Sequence, residues 1–190
     1  MFKLILVIYM PLISFGLNAS EVKELIVQPG FSIYAPDGDG WKILRRTQSL
    51  LAFGKNGAVE GESYIAAASL YRIPKLNSKE EYLAFVKKGR SNDTDPSRFE
   101  IIKNNEYLSK KQTALCVKHD SSAKDKNASY EGKESDYLIL DAIGYNCRHP
   151  HNNTVGVNFE FTHRHFEETK NSDFSKIAEL YLNKLKFTKF

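Results

Sequence analysis

Histidine is the residue whose placement most clearly suggests chemistry in this chain. Four of its five histidines lie close together, at His149, His151, His163 and His165. Residues two apart on a strand point to the same side of the sheet, so His163 and His165 share a face. Two such imidazoles, with a carboxylate such as Glu167 or Glu168, would bind one transition-metal ion, Zn²⁺ or Cu²⁺. The alternative is that both are ordinary polar residues at the end of a strand.

The other two histidines do not complete the same site. His149 and His151 lie in the connection before the strand that carries His163 and His165. A strand of about ten residues at roughly 3.3 Å each separates the two pairs by about 30 Å. One site with four histidines is therefore disfavoured, and only His163 and His165 stay as predicted metal ligands.

Motifs of the common enzyme classes are missing from the sequence. It contains no G-x-S-x-G elbow, no G-x-G-x-x-G, no P-loop and no H-E-x-x-H. Carboxylate pairs such as Glu80-Glu81 and Glu167-Glu168 are better explained as solvated surfaces than as acid and base catalysts. We predict that the protein is not an enzyme and needs no cofactor.

The first nineteen residues have the layout of a secretory signal peptide. A positive charge at Lys3 precedes an uncharged apolar run from Leu4 to about Leu17, and a small residue, Ala19, stands before the predicted cleavage point at Ser20. The run of about 14 residues is shorter than the roughly 20 that a membrane span needs. We predict a signal peptide at 1–19, a single domain at 20–190, and a periplasmic or secreted protein with no stable membrane span after cleavage. An uncleaved N-terminal anchor is the alternative.

Export changes how the two cysteines, Cys116 and Cys147, are interpreted. An even number of cysteines in an oxidising compartment indicates a disulfide. A hairpin folded symmetrically about Glu131-Gly132 places the two residues opposite each other, at a separation that a disulfide can span. The competing interpretation is a metal site formed by Cys147 and His149, which leaves Cys116 without a role.

The order of predicted elements favours an antiparallel α+β fold. Ser78 and Glu81 match a capping box at the start of a helix. The polar run 121–133 has no apolar period and is predicted to be a mobile loop. The predicted elements are strands near 21–28, 31–34, 41–44, 49–53 and 61–73, a helix over 79–90, strands over 99–108, 112–119, 137–147 and 154–165, and a closing helix from about 172.

Aromatic residues are frequent enough to line a ligand groove as well as a core. The chain has 10 tyrosines, 12 phenylalanines and one tryptophan. The candidates for a groove are Tyr34, Tyr64, Tyr71 and Tyr107, although aromatic residues in a sheet protein more often form its core.

The first half of the mature chain resembles PsbP-like domains. The resemblance rests on the segment 30–36, on Trp41, on the strand 49–53, on the alanine-rich strand around 66–68 and on the capped helix 78–86. It implies an antiparallel α/β/α sandwich in which the sheet is flanked by helices, and an exported, mostly non-enzymatic accessory or assembly role. The second half is similar to uncharacterised exported bacterial proteins and adds no functional residue.

Composition and charge leave a binding module as the main expectation. The chain has 190 residues, of which 42% are hydrophobic, which is enough apolar area for a folded core. A net charge of +4 is too small to indicate a nucleic-acid partner. We therefore predict an exported, non-catalytic binding or accessory module of the bacterial envelope, whose partner is an envelope protein or a small ligand. The alternative is a periplasmic transition-metal binding protein that uses His163 and His165.

Overall fold

Antiparallel pairing of consecutive strands builds most of the fold, as the sequence predicts. A computed structural model describes residues 24–111, 113–127 and 137–190. The predicted signal peptide at 1–19 and the predicted hairpin centre at Glu131-Gly132 lie outside these residues. The described elements are β1 (Leu25–Gln28), β2 (Phe31–Tyr34), β3 (Lys42–Arg46), β4 (Leu50–Asn56), β5 (Ser63–Arg72), α1 (Lys79–Asp93), β6 (Phe99–Lys111), β7 (Ala114–Asp125), β8 (Leu138–His149), β9 (Asn152–His165), a 3-10 turn (Glu167–Thr169), α2 (Phe174–Leu182) and β10 (Lys186–Phe187).

Two sheets are present in the described part of the chain. The larger has seven strands in the order β3-β4-β5-β9-β8-β7-β6, and all of its neighbours are antiparallel. The smaller has the order β1-β2-β10. The alanine-rich strand β5 lies inside this sheet, between β4 and β9. The α+β class with antiparallel sheets is therefore confirmed.

One face of the large sheet packs on α2 and holds the main core. Phe159 and Phe161 of β9 lie on this face with Ala178 and Leu182 of α2, and all four are fully buried. Ala66 and Ala68 are the register partners of Phe161 and Phe159, so small side chains on β5 leave room for the two rings. The small sheet joins the same core through buried residues of β1 and β2.

The opposite face packs on α1 through a smaller cluster. Tyr82 and Val86 of α1 are buried against Val117 of β7 and Ile73. Because Cys116 and Val117 point to opposite sides of β7, the two helices lie on opposite faces of the sheet. The sheet is therefore a middle layer between α2 and α1.

Helix α1 begins where the capping pattern predicts but ends later. The Ser78 Oγ accepts a hydrogen bond from the Glu81 amide at 3.0 Å, and the Glu81 carboxylate accepts one from the Asn77 amide rather than from Ser78. The helix continues to Asp93 instead of ending at Arg90. The Thr94 hydroxyl caps the Arg90 carbonyl at 2.9 Å, and the chain turns away only before Pro96.

The prediction of a loop over the polar run 121–133 is wrong for the first part of that run. Strand β7 extends to Asp125, and Ser121 pairs with Ala142 of β8 and Asn104 of β6. The remainder of the run, at 128–133, lies outside the described residues. Ser121 and Ala123 of this strand line a cleft on the α1 face of the sheet.

The predicted disulfide is present. Cys116 and Cys147 are register partners on β7 and β8, and their sulfur atoms are 2.01 Å apart. Both residues are fully buried in the main core. The hairpin register inferred from their spacing is thereby confirmed.

Among the described residues, no helix has both the length and the apolar character needed to cross a membrane.

Candidate functional site

His163 and His165 share a face of β9, as the alternation of strand residues predicts. Their ring centroids are 4.6 Å apart, and both side chains are 1% exposed. His165 Nδ1 donates to the Phe166 carbonyl at 2.6 Å, and its Nε2 donates to Asp141 at 3.2 Å. Both ring nitrogens of His165 therefore have protein partners. Both ring nitrogens of His163 are buried and have no hydrogen-bond partner among the described residues.

The pKa values of His163 and His165 are shifted in opposite directions. Burial acts to lower the pKa of His165, but the hydrogen bonds to Asp141 and the Phe166 carbonyl outweigh it, so that pKa lies above its ordinary value. Burial and the neighbouring His165 lower the pKa of His163 to about 4. Because a protonated imidazole has no lone pair for a metal, His165 must lose a hydrogen bond before it can be a ligand.

The predicted carboxylate ligands do not complete a metal centre here. Glu167 and Glu168 are exposed in the 3-10 turn that follows β9. Within the described ranges, no group of three or more His, Cys, Asp or Glu side chains is arranged to hold a metal ion. Metal binding by His163 and His165 stays a prediction.

His149 and His151 lie at the other end of β9, as expected. The buried His149 donates from Nε2 to the Gly30 carbonyl at 2.8 Å and accepts at Nδ1 from the His151 amide at 3.2 Å. His149 also packs against the ring of Phe187. This histidine is a structural link between the two sheets.

A deep cleft lies beside the sole tryptophan, and we call it the Trp41 cleft. It has a volume of about 970 Å³ and lies between the loop 36–41, the strands β3 to β5 and helix α2. Gly38 and Gly40 give that loop its turn, with φ angles of 88° and 84° that other residues rarely adopt. The Trp41 Nε1 donates to the Asp37 carbonyl at 3.2 Å, which fixes the indole at the end of the loop.

Aromatic rings from four separate elements surround this cleft. The Trp41 ring centroid is 5.7 Å from that of Phe161 and 6.5 Å from that of Tyr64, and Tyr181 is 5.6 Å from Phe161. The Lys55 ammonium is 5.6 Å from the Trp41 ring centroid and 5.7 Å from that of Tyr64. The cleft therefore combines aromatic surface with the Lys55 ammonium above two of its rings. Lys42, Asp37 and Asp39 also line it.

Tyr181 gives the cleft an unsatisfied polar group. Its side chain is 2% exposed, and its hydroxyl has no hydrogen-bond partner among the residues that the structure describes. Burial raises its pKa well above the ordinary tyrosine value, so the hydroxyl keeps its proton. A buried polar group without a partner costs about 1–3 kcal/mol, which a ligand could recover by accepting its hydrogen bond.

Three exposed apolar residues lie at the rim of the Trp41 cleft. Leu44 of β3 is 61% exposed, and Ile177 and Leu180 of α2 are 38% and 53% exposed. All three line the cleft. Exposed apolar residues gathered at the mouth of a cleft are typical of a binding surface.

Tyr64 connects the cleft to the histidine pair. Its ring stacks on that of His163, with centroids 4.0 Å apart and planes at 3°. Its hydroxyl accepts a hydrogen bond from the Asn171 side chain at 3.2 Å. A ligand that moves Tyr64 would therefore change the packing of His163.

The four tyrosines that we proposed for one groove are not brought together. Tyr64 lines the Trp41 cleft and Tyr71 lines a second cleft on the other side of the sheet. Tyr34 and Tyr107 line neither of these clefts, and Tyr107 is 49% exposed on the edge strand β6. Tyr181 and Lys55 were not singled out, because no local motif marks residues that meet only in three dimensions.

Comparisons with known proteins give little further guidance. No family model and no curated protein matches the chain. A crystal structure from Bacteroides thetaiotaomicron at 1.50 Å resolution is similar at 15% identity and a TM-score of 0.43, over 88% of this chain and 49% of that one. The chain thus spans about half the length of that neighbour. A similarity of this size defines neither a family nor a function.

Proposed function

We propose that this protein is an exported, non-catalytic binding module of the bacterial envelope and that the Trp41 cleft holds its ligand. The observation that carries the proposal is the Tyr181 hydroxyl, which has no hydrogen-bond partner within the described residues and belongs to a cleft lined by Trp41, Tyr64 and Phe161. Proteins bind small molecules mainly in concave sites that are lined by apolar and aromatic side chains and contain a few convergent polar groups.

The side chains that line the Trp41 cleft favour one class of ligand. Aromatic rings bind a planar, apolar ring system, and the Lys55 ammonium favours an anionic group at its edge. The Tyr181 hydroxyl adds one donor to a ligand oxygen. We therefore propose a small ring-bearing molecule with an acidic or carbonyl oxygen.

Three further observations support the role of an exported accessory module. Residues 1–19 have the pattern of a signal peptide, and the Cys116–Cys147 disulfide is typical of an oxidising compartment. The sheet lies between two helices, which suits a PsbP-like α/β/α sandwich. The PsbP-like assignment and the periplasmic or secreted location belong to this proposal.

A fluorescent probe of the proposed chemistry tests the site. Anilinonaphthalene sulfonate has planar rings and one anionic group, and Trp41, the only tryptophan, reports its arrival by quenching and energy transfer. We expect saturable binding that weakens about tenfold in Tyr181→Phe and in Lys55→Gln. Tyr107→Phe and Lys110→Gln remove the same groups from the distant strand β6 and are the matched controls. Equal affinity in all five proteins would contradict the proposal.

Transition-metal binding at His163 and His165 is the second candidate function. It is favoured by His163, whose ring nitrogens have no hydrogen-bond partner among the described residues. Because the pKa of His163 is low, one of these nitrogens keeps a free lone pair for a metal at neutral pH. It is opposed by the two hydrogen bonds of His165. The metal content of the protein after dialysis against Zn²⁺ or Cu²⁺ tests this second candidate.

A further inference from the structure

A second cleft lies on the α1 face of the sheet, and we call it the polar cleft. It has a volume of about 780 Å³ and lies between α1, strand β6 and the middle of the sheet. Its floor includes Asn158, Glu160 and Thr162 of β9, which alternate along the strand with the core residues Phe159 and Phe161. This sheet face is polar where the other face is apolar.

Two amide groups in the floor have unmet hydrogen-bonding capacity. Asn146 of β8 and Asn158 of β9 are register partners, so their side chains are neighbours on the same face. Asn146 is 8% exposed, and its Nδ2 has no hydrogen-bond partner within the described residues, nor does Oδ1 of Asn158. The floor thus offers an unused donor beside an unused acceptor.

The Glu160 carboxylate lies in this floor close to a histidine two strands away. His119 Nε2 of β7 lies 3.4 Å from the Glu160 carboxylate, although β8 runs between the two strands. Gly144 of β8 makes this contact possible, because a Cβ there would lie 2.5 Å from His119 Cε1 and 2.7 Å from Glu160 Cβ. His119 is fully buried, whereas the Glu160 side chain is 31% exposed. The Glu160 carboxylate therefore has the buried His119 ring on one side and is accessible to a ligand on the other.

The walls of the cleft add apolar contact and a small excess of negative charge. Phe85 of α1 and Phe99 of β6 line it. Three carboxylates and one guanidinium line it as well, and Arg90 is paired with one of those carboxylates, Glu106, at 2.7 Å. A phosphate, sulfate or carboxylate ligand would meet net repulsion at this surface.

We propose that the polar cleft binds an uncharged saccharide. Asn146, Asn158 and Glu160 supply adjacent donors and acceptors, which is the pattern that neighbouring sugar hydroxyls satisfy, because each hydroxyl both donates and accepts. Phe85 supplies a surface for the apolar face of a sugar ring. The cleft is separate from the Trp41 cleft, so the proposal stands or falls independently of the function proposed above.

Titration with four neutral disaccharides tests the proposal. Maltose, cellobiose, lactose and diacetylchitobiose are each added to isotope-labelled mature protein, and the side-chain amide signals of Asn146 and Asn158 are followed by NMR. We expect at least one sugar to shift both signals saturably. Asn158→Ala and Glu160→Gln should each weaken that binding about tenfold or more. Asn105→Ala, which removes an exposed amide from β6, is the control and should bind like the wild type.

Three results would overturn the saccharide site. One is the absence of any shift with all four sugars at about 10 mM. Another is equal binding by digalacturonate, which carries two carboxylates. The third is unchanged affinity in Glu160→Gln and Asn158→Ala proteins that keep the wild-type thermal midpoint. Glu160→Gln keeps the shape of the side chain, so it tests the site even where Asn158→Ala unfolds.

Discussion

We predict that mild acid destabilises this protein through His163. The ring is 1% exposed, stacked on Tyr64 and beside His165. Burial and the nearby His165 lower the pKa of His163 from 6.5 to about 4. The unfolded chain takes up a proton on this imidazole below about pH 6.5, whereas the folded protein resists down to about pH 4. The unfolded state binds more protons in this window, so the stability falls as the pH falls.

The size of the effect follows from the two pKa values. Each pH unit between 6.5 and about 4 costs about 1.4 kcal/mol, so His163 alone removes about 3 kcal/mol of folding free energy by pH 4. The perturbation is His163→Phe, which keeps a flat ring against Tyr64 and removes the titrating group. The variant should lose about 3 kcal/mol less stability than the wild type between pH 7 and pH 4.

Urea unfolding followed by Trp41 fluorescence measures this difference at both pH values. His151→Phe is the matched control, because His151 is exposed and its replacement removes a solvated imidazole. We expect the control to show the acid sensitivity of the wild type. If His163→Phe loses as much stability as the wild type over the same range, the buried neutral imidazole is not the cause and the reasoning is refuted.

Three other predictions concern the disulfide, a buried ion pair and the metal. The Cys116–Cys147 bond closes a separation of 31 residues, so reduced protein should be less stable by up to about 3.7 kcal/mol in urea. Because both cysteines are fully buried, thiols are titrated in unreduced protein that has been unfolded in urea, where none should be found. Two reactive thiols would contradict the bond. Asp125 is fully buried and lies 2.8 Å from both Arg98 and Arg164, so Asp125→Asn should lower the free energy of unfolding by about 3 kcal/mol. Asp120 forms a half-exposed pair with Lys103, so Asp120→Asn should lower it by less than about 1 kcal/mol. Equal losses in the two variants would contradict this prediction. Dialysis against Zn²⁺ or Cu²⁺ should leave no stoichiometric metal on the protein, because His165 uses both nitrogens; one equivalent that is lost in a His163→Ala, His165→Ala double variant would establish the metal candidate instead.

Local patterns were sufficient for much of the fold. The cap at Ser78 is satisfied by atoms within three residues, so the sequence alone locates the start of α1. The cysteine pair fixes the β7–β8 register because a disulfide needs opposed residues. Both inferences depend on short-range geometry that the residue types impose.

The end of α1 and the extent of β7 depend on tertiary contacts. Polar residues from Ser121 onwards have no apolar period, yet they form a strand because both neighbours pair with them and one side faces the polar cleft. Propensity alone could not show this, since the context of the sheet overrides it.

Neither cleft was predictable from motifs. Trp41, Tyr64, Phe161 and Tyr181 come from a loop, two strands and a helix, and they meet only after the chain has folded. Gly144 has no local signature either, although its missing side chain allows His119 to reach Glu160. Sites of this kind are found by their geometry and their unsatisfied polar groups.

The most direct test of the binding-module account is the content of the Trp41 cleft in protein taken from the bacterial envelope. Mature wild-type protein and the Tyr181→Phe, Lys55→Gln double variant are purified without affinity tags, denatured, and their small molecules compared by mass spectrometry, with Tyr107→Phe, Lys110→Gln as the control. The account predicts a ring-bearing molecule with an acidic or carbonyl oxygen that is retained by the wild type and the control and lost from the double variant. The same molecule in all three proteins, or none in any of them, would contradict it.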